Sequence, residues 1–126
     1  IKDSTTRGIL LNLFFEFVAP DFIMTEIRKH QERMIKVAAI TRDEFELFLS
    51  LIFERITVVP ESEYREFIDL IKDEITDQKD VSYIAACLAC GAYGIWTHDP
   101  DLLEQSRVKT LTNIDMLRLS GQAKSD

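Results

Sequence analysis

The sequence predicts an α/β domain, a three-layer α/β/α sandwich around a short, mostly parallel sheet. Three observations predict it. Short apolar, β-branched runs alternate along the chain with amphipathic stretches of helical period, the pattern that right-handed βαβ crossovers produce. The 126 residues, 46% of them hydrophobic, are enough for one domain with its own core. The few Gly and Pro residues fall between regular segments, with no repeat, low-complexity stretch or Gly/Ser linker.

Each element has its own local signal. "STTRGILLNLFFE" reads as a helix started by Ser4 or Thr5, and it leads into the short strand "FVA". Pro20 then opens a second helix, "PDFIMTEIRKHQERMIKV", with Ile23, Ile27, His30 and Met34 on one face. A capping box from Thr41 to Glu44 starts the third helix, "TRDEFELFLSLIFER", and "ITVVP" is a β-branched strand closed by Pro60. "SEYREFIDLIKDEI" is a fourth helix with Tyr64, Phe67, Ile68 and Ile71 inward. The polar link "TDQKD" leads to "VSYIAACLACG", a largely apolar helix stopped by Gly91. The strand "GIWT", a short helix from Pro100, the strand "VKTL" and a helix near "NIDMLRL" follow, and residues 120–126 read as a frayed tail. A parallel sheet of this kind opens with a central strand, and none precedes the first helix. The native protein is therefore expected to carry an upstream segment of about ten residues, a mean strand plus a short turn.

Composition narrows the function. No run approaches the 18 apolar residues of a membrane span, and "IKDSTTRG" lacks a secretory layout, so a cytoplasmic location is expected. The net charge of -7 argues against a protein that holds nucleic acid by general electrostatic attraction. A nucleic-acid substrate would need another source of positive field. Cys87 and Cys90 form a C-x-x-C, but only the isolated His30 and His98 could complete a zinc site, so both read as buried packing residues.

Ligands of open parallel sheets bind at the carboxyl ends of the strands. That rule selects Asp99 after "GIWT", Asp80 at the start of the preceding helix, and Glu26 on the helix after "FVA". Singly, Asp99 and Asp80 could be helix caps and Glu26 a surface partner of Lys29 and His30. Together they crowd negative charge at one edge, which a cation would relieve. All-oxygen ligation favours Mg2+ or Mn2+ over zinc, and such an ion can activate water and neutralise a phosphodiester oxygen.

At these residues the sequence resembles the PIN-domain family, a metal-dependent ribonuclease fold that includes VapC-like toxins of toxin–antitoxin pairs. The resemblance covers nearly the whole chain as a single domain. Its most specific stretch is "DVSYIAACLACGAYGIWTHDPDL", similar to a family pattern of acid, Ala-rich helix, Gly turn, apolar strand and Thr-x-Asp. "APDFIMTEIRKH" resembles the segment of the second acid, at Glu26. The resemblance implies a Mg2+- or Mn2+-dependent endoribonuclease with Glu26, Asp80 and Asp99 as metal ligands, Asp101 assisting and Thr97 supporting the site by hydrogen bonding. It implies an RNA substrate and admits an antitoxin partner. The family's first acid ends an opening strand, and nothing in "IKDSTTRGILL" matches it, Asp3 having no strand before it. That departure keeps an alternative open, an inactive PIN-like module that binds RNA or protein. A phospho-acceptor domain fits poorly, because no paired acids follow "FVA" or "ITVV".

Two surfaces remain. Arg7, Arg28, Lys29, Arg33 and Lys36 are either phosphate contacts or a solvated face. Phe45, Phe48, Leu49, Ile52 and Phe53 either pack a helical hairpin onto its own domain or form a homodimer face or an antitoxin groove.

Overall fold

In a computed structural model, residues 4–121 are described; Asp3 and residues 122–126, most of the expected tail, lie outside them. The element order is α1 (Ser4–Leu11), β1 (Phe17–Pro20), α2 (Phe22–Ala38), α3 (Arg42–Phe53), β2 (Ile56–Val59), α4 (Glu61–Ile71), α5 (Gln78–Cys90), β3 (Ile95–Trp96), α6 (Pro100–Glu104), β4 (Thr110–Leu111) and α7 (Asn113–Leu119). This is a mixed α/β fold with parallel strand pairs, as the alternating pattern requires.

Caps set most helix ends. Thr41 and Glu44 close the reciprocal capping box of α3, and Thr112 with Asp115 forms a second one on α7. Gly91, at φ 60°, ends α5 in the left-handed region, its N–H bonding back to the last turn. Two helix starts differ from the sequence reading, and α1 and α4 also stop early, at Leu11 and Ile71. Pro20 ends β1 instead of opening α2, and Asp21 takes the turn between them. There its carboxylate ignores its own helix: it accepts the Tyr64 hydroxyl at 2.6 Å and the Glu61 N–H at 3.1 Å, joining the carboxyl ends of β1 and β2. The hydroxyl bond holds the Asp21 pKa below its usual value, while burial and then the Asp21 bond push the Tyr64 phenol up. The second difference is α5, which starts at Gln78 inside the supposed link because Asp77 caps it through the Lys79 N–H.

The strands make two parallel pairs where one sheet was expected. Phe17 to Pro20 align with Ile56 to Val59, and Ile95–Trp96 with Thr110–Leu111. Among the described residues no strand joins β1 to β3. At β3 the backbones close tightly, since a Cβ on Gly94 would stand 2.7 Å from the Lys109 carbonyl oxygen.

The core divides the same way. Val59, Tyr64, Ile71, Val81, Ile84, Ala85, Ala86 and Leu102 form the larger cluster, with Phe67 and Ile68 partly buried against it. Ile9, Leu111 and Met116 form the smaller, flanked by Phe17 and Trp96. On the α2–α3 hairpin Phe45 and Leu49 are buried, which supports packing onto the domain for that face. Helix α2 buries none of its side chains fully. The hairpin also carries the ion pairs Arg28–Glu46 and Arg42–Glu32, exposed and so worth little each.

Arg55 fastens the chain entering β1. Its guanidinium donates to the carbonyl oxygens of Leu10, Asn12 and Phe15 at 3.1 to 3.3 Å, satisfying the end of α1 and the turn beyond. Arg55→Ala should therefore cost about 2 to 3 kcal/mol in denaturant unfolding, with Arg55→Lys recovering little because one ammonium cannot span three carbonyls.

Candidate metal centre

Helix α5 builds the site at its first turn. With Asp77 as the cap, Asp80 falls at the third helical position, only 7% exposed. Val81, Ile84 and Ala85 follow it directly into the core, so the carboxylate cannot swing outward without unseating the helix. Its ionisation is opposed on several sides. Burial is the largest cause, followed by the charges of Asp77, Asp99, Asp101 and Glu26, and together they push the Asp80 pKa up to about 6.

Carboxylate oxygens of Asp77, Asp80 and Asp101 lie within 4.8 Å of one another. Two oxygens across an octahedral ion at 2.1 Å would stand about 4.2 Å apart, and across calcium at 2.4 Å about 4.8 Å. The all-oxygen donor set and its spacing thus fit a hard divalent cation. Asp77 was missed in the sequence because "TDQKD" reads as a link. The available signal was its D-x-x-D spacing, which sets two acids at one helix start.

The expected residues gather around Asp80 in two adjoining clefts of about 400 Å³ each. Asp101 lines one of them with Asp77 and Asp80; Glu26, Thr97 and Asp99 line the other, with the same two acids. Glu26 accepts the Tyr83 hydroxyl at 2.7 Å instead of pairing with Lys29 or His30. That bond, after burial, raises the Tyr83 phenol pKa. Asp99 caps α6 by accepting the Asp101 N–H at 3.0 Å, which leaves its second oxygen for the cleft. The Thr97 hydroxyl accepts the Asp99 N–H at 3.0 Å, so it fixes the loop and not the carboxylate itself.

The candidate basic and sulfur groups sort differently. Arg28 is engaged by Glu46 and Gln31, whereas Lys79, unremarked in the sequence, lines the cleft with Glu26 and Asp99. Cys87 is buried and its thiol pKa is pushed up by that burial, but Cys90 is exposed, which corrects the expectation that both are buried. Both thiols are free. His98 accepts the Asn113 N–H through Nε2.

The PIN-domain family model matches residues 1–118. The chain belongs to the PIN-domain family. No curated protein and no solved structure matches it. PIN domains are in general nucleases that act on RNA and use divalent metals, and the three-acid cluster is what such a metal would require of this member. Among the described residues no helix is long and apolar enough to cross a membrane.

Because the raised Asp80 pKa marks a charge that folding disfavours, its ionisation costs stability above about pH 6, partly between 4 and 6, and not below. In chelator, Asp80→Asn should stabilise the protein at pH 8 by on the order of 2 to 3 kcal/mol, at 1.36 kcal/mol per pKa unit. Melting curves should show that gain fading as pH falls to 4.

Proposed function

We propose that this chain is a metal-dependent endoribonuclease with one or two ions, magnesium or manganese, held by Glu26, Asp80, Asp99 and Asp101, with Asp77 as a further carboxylate. The observation that supports this most is the buried Asp80 encircled by four other acids, a charge arrangement that a cation would relieve. When bound, such an ion supplies Lewis-acid chemistry, activating water and neutralising charge on the phosphodiester. The remaining work falls to the chain. Asp80 anchors the centre, because its helix is sunk in the core. Tyr83 orients Glu26, and Thr97 holds the loop that presents Asp99. Lys79 offers a phosphate contact beside the acids, in a chain whose net charge is -7.

The finer part of the reading is a cytoplasmic toxin of a toxin–antitoxin pair. Free thiols suit a reducing compartment. Exposed Val37 on α2 and Leu47 and Leu51 on α3 are the apolar side chains an antitoxin or a second copy would cover.

The test is cleavage of single-stranded RNA in Mn2+ by the protein. Asp80→Asn and Asp99→Asn should each lower the rate at least about 100-fold, the upper range for disturbing a metal centre, with circular dichroism unchanged. Cleavage within threefold of the parent in both variants would overturn the assignment. RNA binding without cleavage by the parent would replace it with an inactive binding module.

A further inference from the structure

Helix α2 carries Glu26, yet it buries none of its side chains fully. Toward α3 it is tied by Arg28–Glu46 and Arg42–Glu32, ion pairs open to solvent and so weak. Two tyrosines fix its first turns. Tyr64 on α4 donates its hydroxyl to the Asp21 carboxylate, just before α2, at 2.6 Å. Tyr83 on α5 donates its hydroxyl to Glu26 at 2.7 Å, five residues and about 7.5 Å of helix axis further along. Phe22 meets the Tyr83 ring edge-on, with 6.5 Å between centroids. The two tyrosines stand on helices that pack against each other, and Tyr64 is only 2% exposed, so the surface on which α2 rests is set by the core.

Asp21 has a nearer task that it does not perform. An acid before a helix ordinarily accepts from the second or third N–H of that helix. Asp21 makes no such bond, and its backbone is already helical at φ -57°. Its two oxygens go to α4 instead, one to the Tyr64 hydroxyl and the other to the Glu61 N–H at 3.1 Å. Bonds to an ionised acceptor are the stronger class. Burial and then the bond to Asp21 raise the Tyr64 phenol, and burial and then the bond to Glu26 raise the Tyr83 phenol, so each hydroxyl keeps the proton that its bond requires. Glu26 therefore differs from Asp80, whose helix is sunk in the core. Its place depends on polar bonds at the base of a lightly held helix.

We infer that Tyr64 and Asp21 are positioning residues for the metal centre: their bond seats the first turn of α2 on α4 and thereby sets how far Glu26 reaches toward Asp80 and Asp99. The inference rests on the reading of Glu26 as a metal ligand. Tyr83 acts on the Glu26 side chain itself, whereas Tyr64, which lines neither acidic cleft, acts on the helix that carries it.

Amide exchange in chelator and calorimetric titration of Mn2+ test this together. Tyr64→Phe keeps the ring in the core and removes only the donor. It should speed exchange of the amides of residues 26–30 at least about tenfold while those of α5 keep their protection. It should also raise the Mn2+ Kd about tenfold, the lower range for a group behind a metal ligand. Asp21→Ala, made from the exposed side of the same bond, should do the same and decides the matter if Tyr64→Phe folds poorly. Arg55→Ala, which loosens the fold elsewhere, should leave the Mn2+ Kd within about twofold. An equal rise there would reduce the Tyr64 effect to general destabilisation and overturn the inference, as would exchange or Kd unchanged in both Tyr64→Phe and Asp21→Ala. Absent Mn2+ binding by the parent would overturn it through its premise. Because exchange is read without metal, that failure is told apart from failure of the seat, which shows as unchanged exchange in α2.

Discussion

A carboxylate sunk in the wall of the core, with four other acids around it, is the constraint on which the rest of this molecule turns. Asp80 is placed there by α5, the helix packed against α4, β1 and β3. The turns that follow it carry Val81, Ile84, Ala85 and Ala86 into the larger core, so stability of the domain and position of the charge are the same fact. Helix geometry softens the conflict slightly, since the first turn of α5 presents backbone N–H groups and a positive dipole end to Asp77 and Asp80. It does not remove it, and the pKa near 6 records the remainder.

Charge is therefore used at two scales. Over the whole surface the excess of acids repels polyanions, while at one edge those acids are close enough together to concentrate a cation. The exposed ion pairs of the α2–α3 hairpin contribute little beside this, and buried Phe45 and Leu49 hold that hairpin to the domain. A nuclease of this composition would depend on its metal for substrate affinity as well as for chemistry.

Local signals were readable and distant ones were not. The capping box at Thr41, the Gly91 stop and the strand ended by Pro60 are each decided within a few residues, and each stands where the sequence places it. The start of α5 was misplaced because polar "TDQKD" resembles a link, although Asp77 caps the helix from within it. The Glu26–Tyr83 bond joins residues 57 positions apart, and no periodicity signals such a contact. Nor could a sequence show that β3 and β4 keep only two residues each or that the sheet parts into two pairs, since strand pairing depends on what lies alongside.

Calorimetric titration of Mn2+ tests the central claim most directly. Saturable binding by the protein, lost in Asp80→Asn while the fold persists, is the expected result. Equal binding by parent and Asp80→Asn, or no binding by either, would contradict a metal centre organised on Asp80 and return these carboxylates to caps and surface acids.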